Sequence, residues 1–399
     1  MIGGFYTRNK QTARQYVQDT FLPGLFQAAT GVPFELAFGQ GLYQGKYTFV
    51  LDKATSIDEQ IAGFGQADLK LTDKLKLTAG VRVAHTKLNA SAQFVGPVVG
   101  PPINDSGHQS ESPVTPKFGL SYQATGNTLV YASASKGYRV GGYNPAVGLP
   151  CGVSSSPVAG TALGNLGLTN RPELFDSDSV WSYEVGTKTR LFDRRLQFDA
   201  SAFRIDWNNI QQTIQLTQCG FNYTANLGKA RSTGFDIQFQ LRATDSLTLG
   251  GAVGYTDAKF TQTIKAGPAA AANLVTAGDK IPLNPWQITF NGQYDFAVAG
   301  KDAYIRADFQ HLSRQTGATQ QRDPANGGAD LTIPGIPETN NLSLRAGVTL
   351  EPVELSFFVN NVTNDRPLLL RQHDVVYSTL YRNATARPRT FGMTAIVRY

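Results

Sequence analysis

The sequence predicts an all-β chain wound as a transmembrane antiparallel up-and-down β-barrel. Three observations carry the prediction. Apolar and polar residues alternate with a period of two through most of the chain. The connections between the alternating segments are short and long by turns. The closing segment places Phe391, Met393, Ala395, Val397 and Tyr399 on one face and Gly392, Thr394, Ile396 and Arg398 on the other. A strand that meets lipid on one side and water on the other carries this pattern, and ~10 residues suffice to cross.

The elements follow in chain order. A strand is expected near Ile2 to Arg8, and roughly thirteen more from Glu59 onward, about 14 in all from the ordinary spanning length. Trp181, Tyr183, Val185 and Leu191 alternate with Ser182, Glu184, Lys188 and Arg190. Leu196, Phe198, Ala200 and Ala202 keep one phase, then Phe203, Ile205 and Trp207 take the other. A β-bulge or an aromatic girdle at a membrane boundary accounts for that switch. Phe235, Ile237, Phe239 and Leu241 alternate with Asp236, Gln238, Gln240 and Arg242. Trp286 to Phe296 and Leu342 to Leu350 repeat the pattern. Short polar turns fall at Thr72-Asp73-Lys74, Thr125-Gly126-Asn127, Asp193-Arg194-Arg195, Thr244-Asp245-Ser246 and Glu351-Pro352. Long irregular segments run over Phe94 to Ser112, Arg139 to Ser179, Thr263 to Leu283, Gln315 to Thr339 and Asn364 to Ala386. An up-and-down barrel sorts its connections in this way, with tight turns on one rim and loops on the other. A soluble sandwich has no reason to do so.

Composition narrows the function classes. In 399 residues, 41% are hydrophobic, and no apolar run approaches the ~18 residues of a membrane helix. The net charge of +6 is scattered over strands, which argues against nucleic acid and leaves anionic lipid or an anionic ligand. His85, His108, His311 and His373 are isolated, so no metal site is expected from them, and no cofactor is implied. No nucleophile elbow, phosphate loop or paired-carboxylate arrangement stands out, so no catalytic residue is assigned.

Five segments resemble the C-terminal barrel of a TonB-dependent outer-membrane receptor. They are Ser135 to Pro145, Ser182 to Lys188, Asn226 to Asp236, Asn360 to Asp365, and the closing run from Arg387 to Tyr399. The resemblance implies a larger plugged barrel in the outer membrane of a Gram-negative bacterium. It implies energised uptake of a scarce solute, most often a ferric siderophore. It also implies a TonB-type energy-coupling partner acting through a plug, the barrel-assembly machinery, and outer-membrane lipid. Residues 1–399 are then expected to be the C-terminal part of the receptor barrel, with the plug domain and signal peptide absent. The start, Met1 to Arg8, lacks the charged and apolar regions of a signal peptide, which suggests a longer precursor.

Candidate site residues lie toward the loop rim. Tyr138, Arg139 and Tyr143 sit where a strand gives way to a long loop, and either contact ligand at the mouth or pack as girdle tyrosines beside a solvated arginine. Arg82, Arg242, Arg306 and Arg345 fall on polar faces with Glu184, Asp236 and Asp308, as a ligand-attracting lumen or as structural pairs within it. By the resemblance, Phe391 and the terminal Tyr399 form an assembly signal; the other reading of Tyr399 is a strand that simply ends on a girdle aromatic. Cys151 and Cys219 fall on the same rim and form either a disulfide between two loops or two thiols too far apart to bridge. Two other functions stay open: a complete passive porin-like channel, and an enzyme on a barrel scaffold.

Overall fold

The structure, a computed structural model, describes residues 1–265, 273–316, 333–372 and 381–397. Fourteen strands follow one another in a single antiparallel sheet. They are β1 (Ile2–Gln18), β2 (Tyr47–Lys70), β3 (Leu75–Val95), β4 (Val114–Thr125), β5 (Thr128–Arg139), β6 (Asp178–Leu191) and β7 (Leu196–Asn208). Then come β8 (Lys229–Arg242), β9 (Leu247–Phe260), β10 (Trp286–Val298), β11 (Lys301–Leu312), β12 (Thr339–Leu350), β13 (Val353–Asn360) and β14 (Thr390–Val397). Each strand pairs with its sequence neighbour, and the sheet ends on β1 and β14, which do not pair with each other among the described residues.

Register turns the sequence alternation into continuous rows. Leu196, Leu241, Leu249, Gly292, Ala307, Leu344, Val359 and Phe391 are successive partners across eight strands. Two residues further along, Phe198, Phe239, Gly251, Phe290, Phe309 and Leu342 form a second apolar row. One residue beyond the second row, on the opposite face, Lys188, Asp199, Gln238, Ala252, Thr289, Gln310 and Asn341 form a mostly polar row. The apolar rings stay in the open: Phe391 is 70% exposed and Phe357 61%. Aromatic rows left uncovered by protein are what lipid would cover, since a water-facing patch of this size is rare in soluble chains.

Two expectations change. The phase switch in β7 is not a bulge, because the ladder to both neighbours runs unbroken from Leu196 to Asn208. Nor is Trp207 a girdle residue. It turns to the polar face and packs against the buried core of the loops, donating Nε1–H to Asp178 at 3.0 Å. The expected loop from Phe94 to Ser112 also contains a strand. Ile103–Glu111 pairs with β3 in the same register that β4 continues after Pro113. The two pieces are one long strand that Pro113, lacking an N–H, interrupts.

Candidate functional site at the loop rim

All the tight turns lie at one end of the sheet and all the long connections at the other. Three parts matter here: a charged inner wall along the polar face of the strands, clamps where strands become loops, and a folded cap at the loop end.

The wall carries its charges as local pairs. Tyr131 donates Oη–H to Glu184 at 2.5 Å, and Arg306 grips Asp308 through Nη2 at 2.6 Å and Nε at 2.9 Å. Arg82 donates to Gln60 at 3.1 Å, and Gln60 donates to the Tyr138 hydroxyl at 2.7 Å. Arg345 lies over the Phe358 ring and donates to Ser356 at 3.1 Å. A hollow of about 540 Å³ opens on this face, lined by Tyr131, Lys188, Asp199, Asp236, Gln238 and Thr289 among others. Its chemistry is hydrogen bonding with both charge signs, which suits a solute with many oxygen and nitrogen atoms.

The clamps are made by residues at strand ends. Asp178 is buried and accepts from four groups: Arg139, the Trp207 indole, the Gln211 amide at 3.1 Å, and the second Arg139 nitrogen. Arg139 also stacks over Trp207, 4.9 Å from its centroid, and donates to the Gln211 carbonyl at 3.1 Å. Glu111 accepts from the amides of Gly141 at 3.2 Å and Ser177 at 2.8 Å, closing the base of the 140–177 loop. Gly141 and Gly142 pass so close to Phe175 that a Cβ at either would overlap it, so the pair of glycines is a packing requirement.

The cap is the 140–177 loop folded over the hairpin Gln211–Leu216 and Phe221–Asn226. Val147, Leu163, Leu166, Ile214, Leu216, Tyr223 and Leu227 bury one another, together with Leu274 and Val275 of the 261–285 connection. Cys151 and Cys219 are joined by a disulfide with Cα atoms 5.2 Å apart. Asn144 is 2% exposed and fully committed: its side chain donates to Pro172 and Thr224 carbonyls at 2.9 and 2.8 Å and accepts from the Thr224 amide at 2.7 Å. Arg171, also buried, donates to Asp105 at 2.8 Å and to the Pro145 carbonyl at 3.3 Å. That pair ties the 140–177 loop to the strand extension of the preceding connection. Burial, then the Asp105 carboxylate beside it, pushes the Tyr143 phenol well above its ordinary range.

The candidate residues therefore separate. Tyr138 belongs to the wall through Gln60, Arg139 to the Asp178 clamp, and Tyr143 to the buried side of the cap, its ring against Gly107. Phe391 lies on the apolar face, and Tyr399 lies outside the described residues, as does His373. Asp178, Glu111, Asn144 and Arg171 are missing from the sequence reading. Only Asn144 had a signal there, as part of the Ser135–Pro145 segment. Two of the resembling segments carry asparagines that act as fasteners. Asn226 binds Asp176 and Asn209, and Asn361 binds the Asp365 and Arg387 carbonyls at 2.8 Å, so each closes the neck of a loop.

A one-sided apolar sheet with sorted connections and a folded cap over its polar face defines a wall of a transmembrane barrel with an ordered external mouth. The chain belongs to the TonB dependent receptor-like β-barrel family, whose profile matches residues 3–362. The metal-pseudopaline receptor CntO of Pseudomonas aeruginosa is 30% identical over 197 residues, 49% of this chain and 24% of that receptor. The pesticin receptor of Yersinia enterocolitica is 28% identical over 184 residues, 46% of this chain and 24% of the receptor. Among solved structures, the ferric yersiniabactin uptake receptor FyuA of Yersinia pestis superposes with a TM-score of 0.67 at 17% identity, over 88% of this chain and 47% of that one. The siderophore receptor PiuA of Acinetobacter baumannii gives 0.64 at 17% identity, over 99% and 52%. The chain thus spans about half the length of these structures and matches about a quarter of the curated relatives.

Proposed function

We propose that this chain forms the C-terminal wall and external cap of a Gram-negative outer-membrane receptor for energised uptake of a scarce solute, a ferric siderophore or a similar metal chelate. The observation that carries the reading is the cap. A loop locked by a disulfide, a buried ion pair and a buried asparagine over a polar wall is a pre-ordered surface for capture, and pre-ordering lowers the entropic cost of binding. The relatives named for metal-pseudopaline and ferric yersiniabactin support a metal chelate as the cargo class. In this reading Arg139 and Tyr143 serve ligand capture by fixing the loop that meets it, and Tyr138 meets ligand from the wall. The wall works with a plug that receives a TonB-type energy-coupling partner, and further strands complete the ring at β1 and β14. Phe391 and Tyr399 present the assembly signal to the barrel-assembly machinery. The passive porin reading is less favoured, because family members are receptors and the cap is fastened over the polar wall rather than open.

The test is deletion of the gene in its host, followed by growth under iron restriction on single ferric siderophores. The reading expects loss of growth on one chelate and the same loss when the TonB-type partner is removed. Uptake of small solutes that continues without that partner would favour a porin instead.

A further inference from the structure

One charged surface lies outside both the polar wall and the cap. On the apolar face, Phe235, Tyr255 and Trp286 pack as a cluster, with centroids 5.9 Å apart for Phe235–Tyr255 and 4.8 Å for Tyr255–Trp286. They share a row with Ala202 and Val185. Toward the loop end, the same face changes abruptly from aromatic to basic. Arg204 is two residues beyond Ala202, Arg231 and Lys229 are four and six beyond Phe235, and Lys259 pairs with Arg231. Lys280 bridges to Lys259 and so joins the same face. Trp207, Ala230 and Phe260 occupy the reverse side at this level and pack into the cap, so these cations point away from the lumen.

Two carboxylates hold the cluster in shape. Asp206 accepts from Arg204 at 2.9 Å and from Arg231 at 2.6 Å. Asp257 accepts from Lys280 at 2.5 Å and lies 4.0 Å from Lys259. Five cations against two anions leave an excess of three positive charges across three adjacent strands and one loop. The side chains of Arg204, Arg231, Lys259 and Lys280 are 42–50% exposed. At ~3.3 Å per residue, Arg231 stands about 13 Å along the strand from Phe235, and strand tilt reduces the height to roughly 10 Å. An aromatic row at the acyl boundary with cations that far above it sets the charges at head-group depth.

We propose that this patch binds the phosphate groups of an anionic lipid in the outer leaflet. Charge complementarity and depth select the occupant: rings meet the acyl boundary, arginine forks take phosphate oxygens in pairs, and the lysines add point charge. The inference rests on the reading of the chain as an outer-membrane wall.

The test uses the complete receptor that carries this wall, in phosphatidylcholine vesicles and in the same vesicles with a minor fraction of bisphosphorylated lipid A, with bound lipid counted by native mass spectrometry. At about fivefold per surface charge, Arg204→Gln/Arg231→Gln/Lys259→Gln lowers apparent affinity roughly a hundredfold. Lys70→Gln/Lys74→Gln/Arg195→Gln, at the turn rim, leaves it unchanged. Lys280→Gln alone lowers it about fivefold and serves if the triple variant does not fold. Inorganic phosphate fails to displace the lipid. Equal lipid binding by parent and the cap-side variants overturns the proposal, as does an equal loss in the turn-rim variant or full displacement by inorganic phosphate. A complete receptor that does not enter plain phosphatidylcholine vesicles overturns the membrane reading instead, so the two failures are distinguishable.

Discussion

Asp105→Asn isolates one charge in the cap. The Arg171 side chain is 4% exposed and that of Asp105 14%, so the pair is largely removed from water. Taking away the carboxylate leaves a buried guanidinium with the Pro145 carbonyl at 3.3 Å and only the distant, exposed Glu173 carboxylate at 3.8 Å. Breaking such a pair costs about 3–5 kcal/mol, most of it the unpaired charge. At ~1.4 kcal/mol per tenfold, the lower figure raises the open population of the 140–177 loop on the order of a hundredfold. Hydrogen exchange of that loop reads this directly. The Asn144 amide, bonded to the Glu173 carbonyl at 2.8 Å, flanks Arg171 in the fold and is the reporter. Asp105→Leu with Arg171→Met removes both charges and restores most of the protection, because an apolar pair replaces a buried ionic one at little cost. If Asp105→Asn changes exchange by less than about threefold, the pair is not the lock described here.

Three further outcomes follow from the same structure. Phe290→Arg, on the apolar face, lowers stability in bilayers by about 2–4 kcal/mol if near mid-depth, whereas Thr289→Arg, its neighbour on the polar face, costs far less; denaturant titration of the reconstituted chain compares them. Reduction of Cys151–Cys219, or Cys151→Ser, releases a crosslink spanning 68 residues, worth up to about 4 kcal/mol from chain entropy, and limited proteolysis then cuts the 140–177 loop faster while the sheet stays intact. Burial raises the phenols of Tyr143 and Tyr223 above the ordinary tyrosine value of 10.0, so the folded cap holds those protons more tightly than the unfolded loop does. Cap stability is therefore complete below that pH and falls as pH rises beyond it; proteolysis of the cap should be flat from about pH 6 to 9 and faster near pH 11.

The wall was readable in the sequence because a strand with lipid on one side and water on the other cannot hide its period. Phe235 to Leu241 and Trp286 to Phe296 show it residue by residue, and the register then aligns them into rows. The turn at Ala299-Gly300 and the first long connection, from 19 to 46 with helices Leu22–Thr30 and Phe34–Phe38, were not found. The strand expected at Ile2 to Arg8 runs on to Gln18 in a stretch where alternation is weak. The hairpin 211–226 also escaped, because its buried Ile214, Leu216 and Tyr223 face a loop and not a membrane. The clamps were invisible for a different reason. Asp178 meets Arg139, and Arg171 meets Asp105, across 39 and 66 residues of chain, and spacing carries no trace of such pairs. The basic patch looked scattered for the same reason, since Arg204, Arg231, Lys259 and Lys280 come together only through strand pairing.

Lipid on one face of the sheet and water or protein on the other is the central claim. Single nitroxide labels placed in turn at 287 through 294 of β10, with the complete receptor reconstituted in bilayers, measure access to oxygen and to a water-soluble nickel chelate. A period of two is expected, with labels at Ile288, Phe290 and Gly292 reached by oxygen and labels at Gln287, Thr289 and Gln293 reached by nickel. Equal nickel access along the whole strand would contradict it.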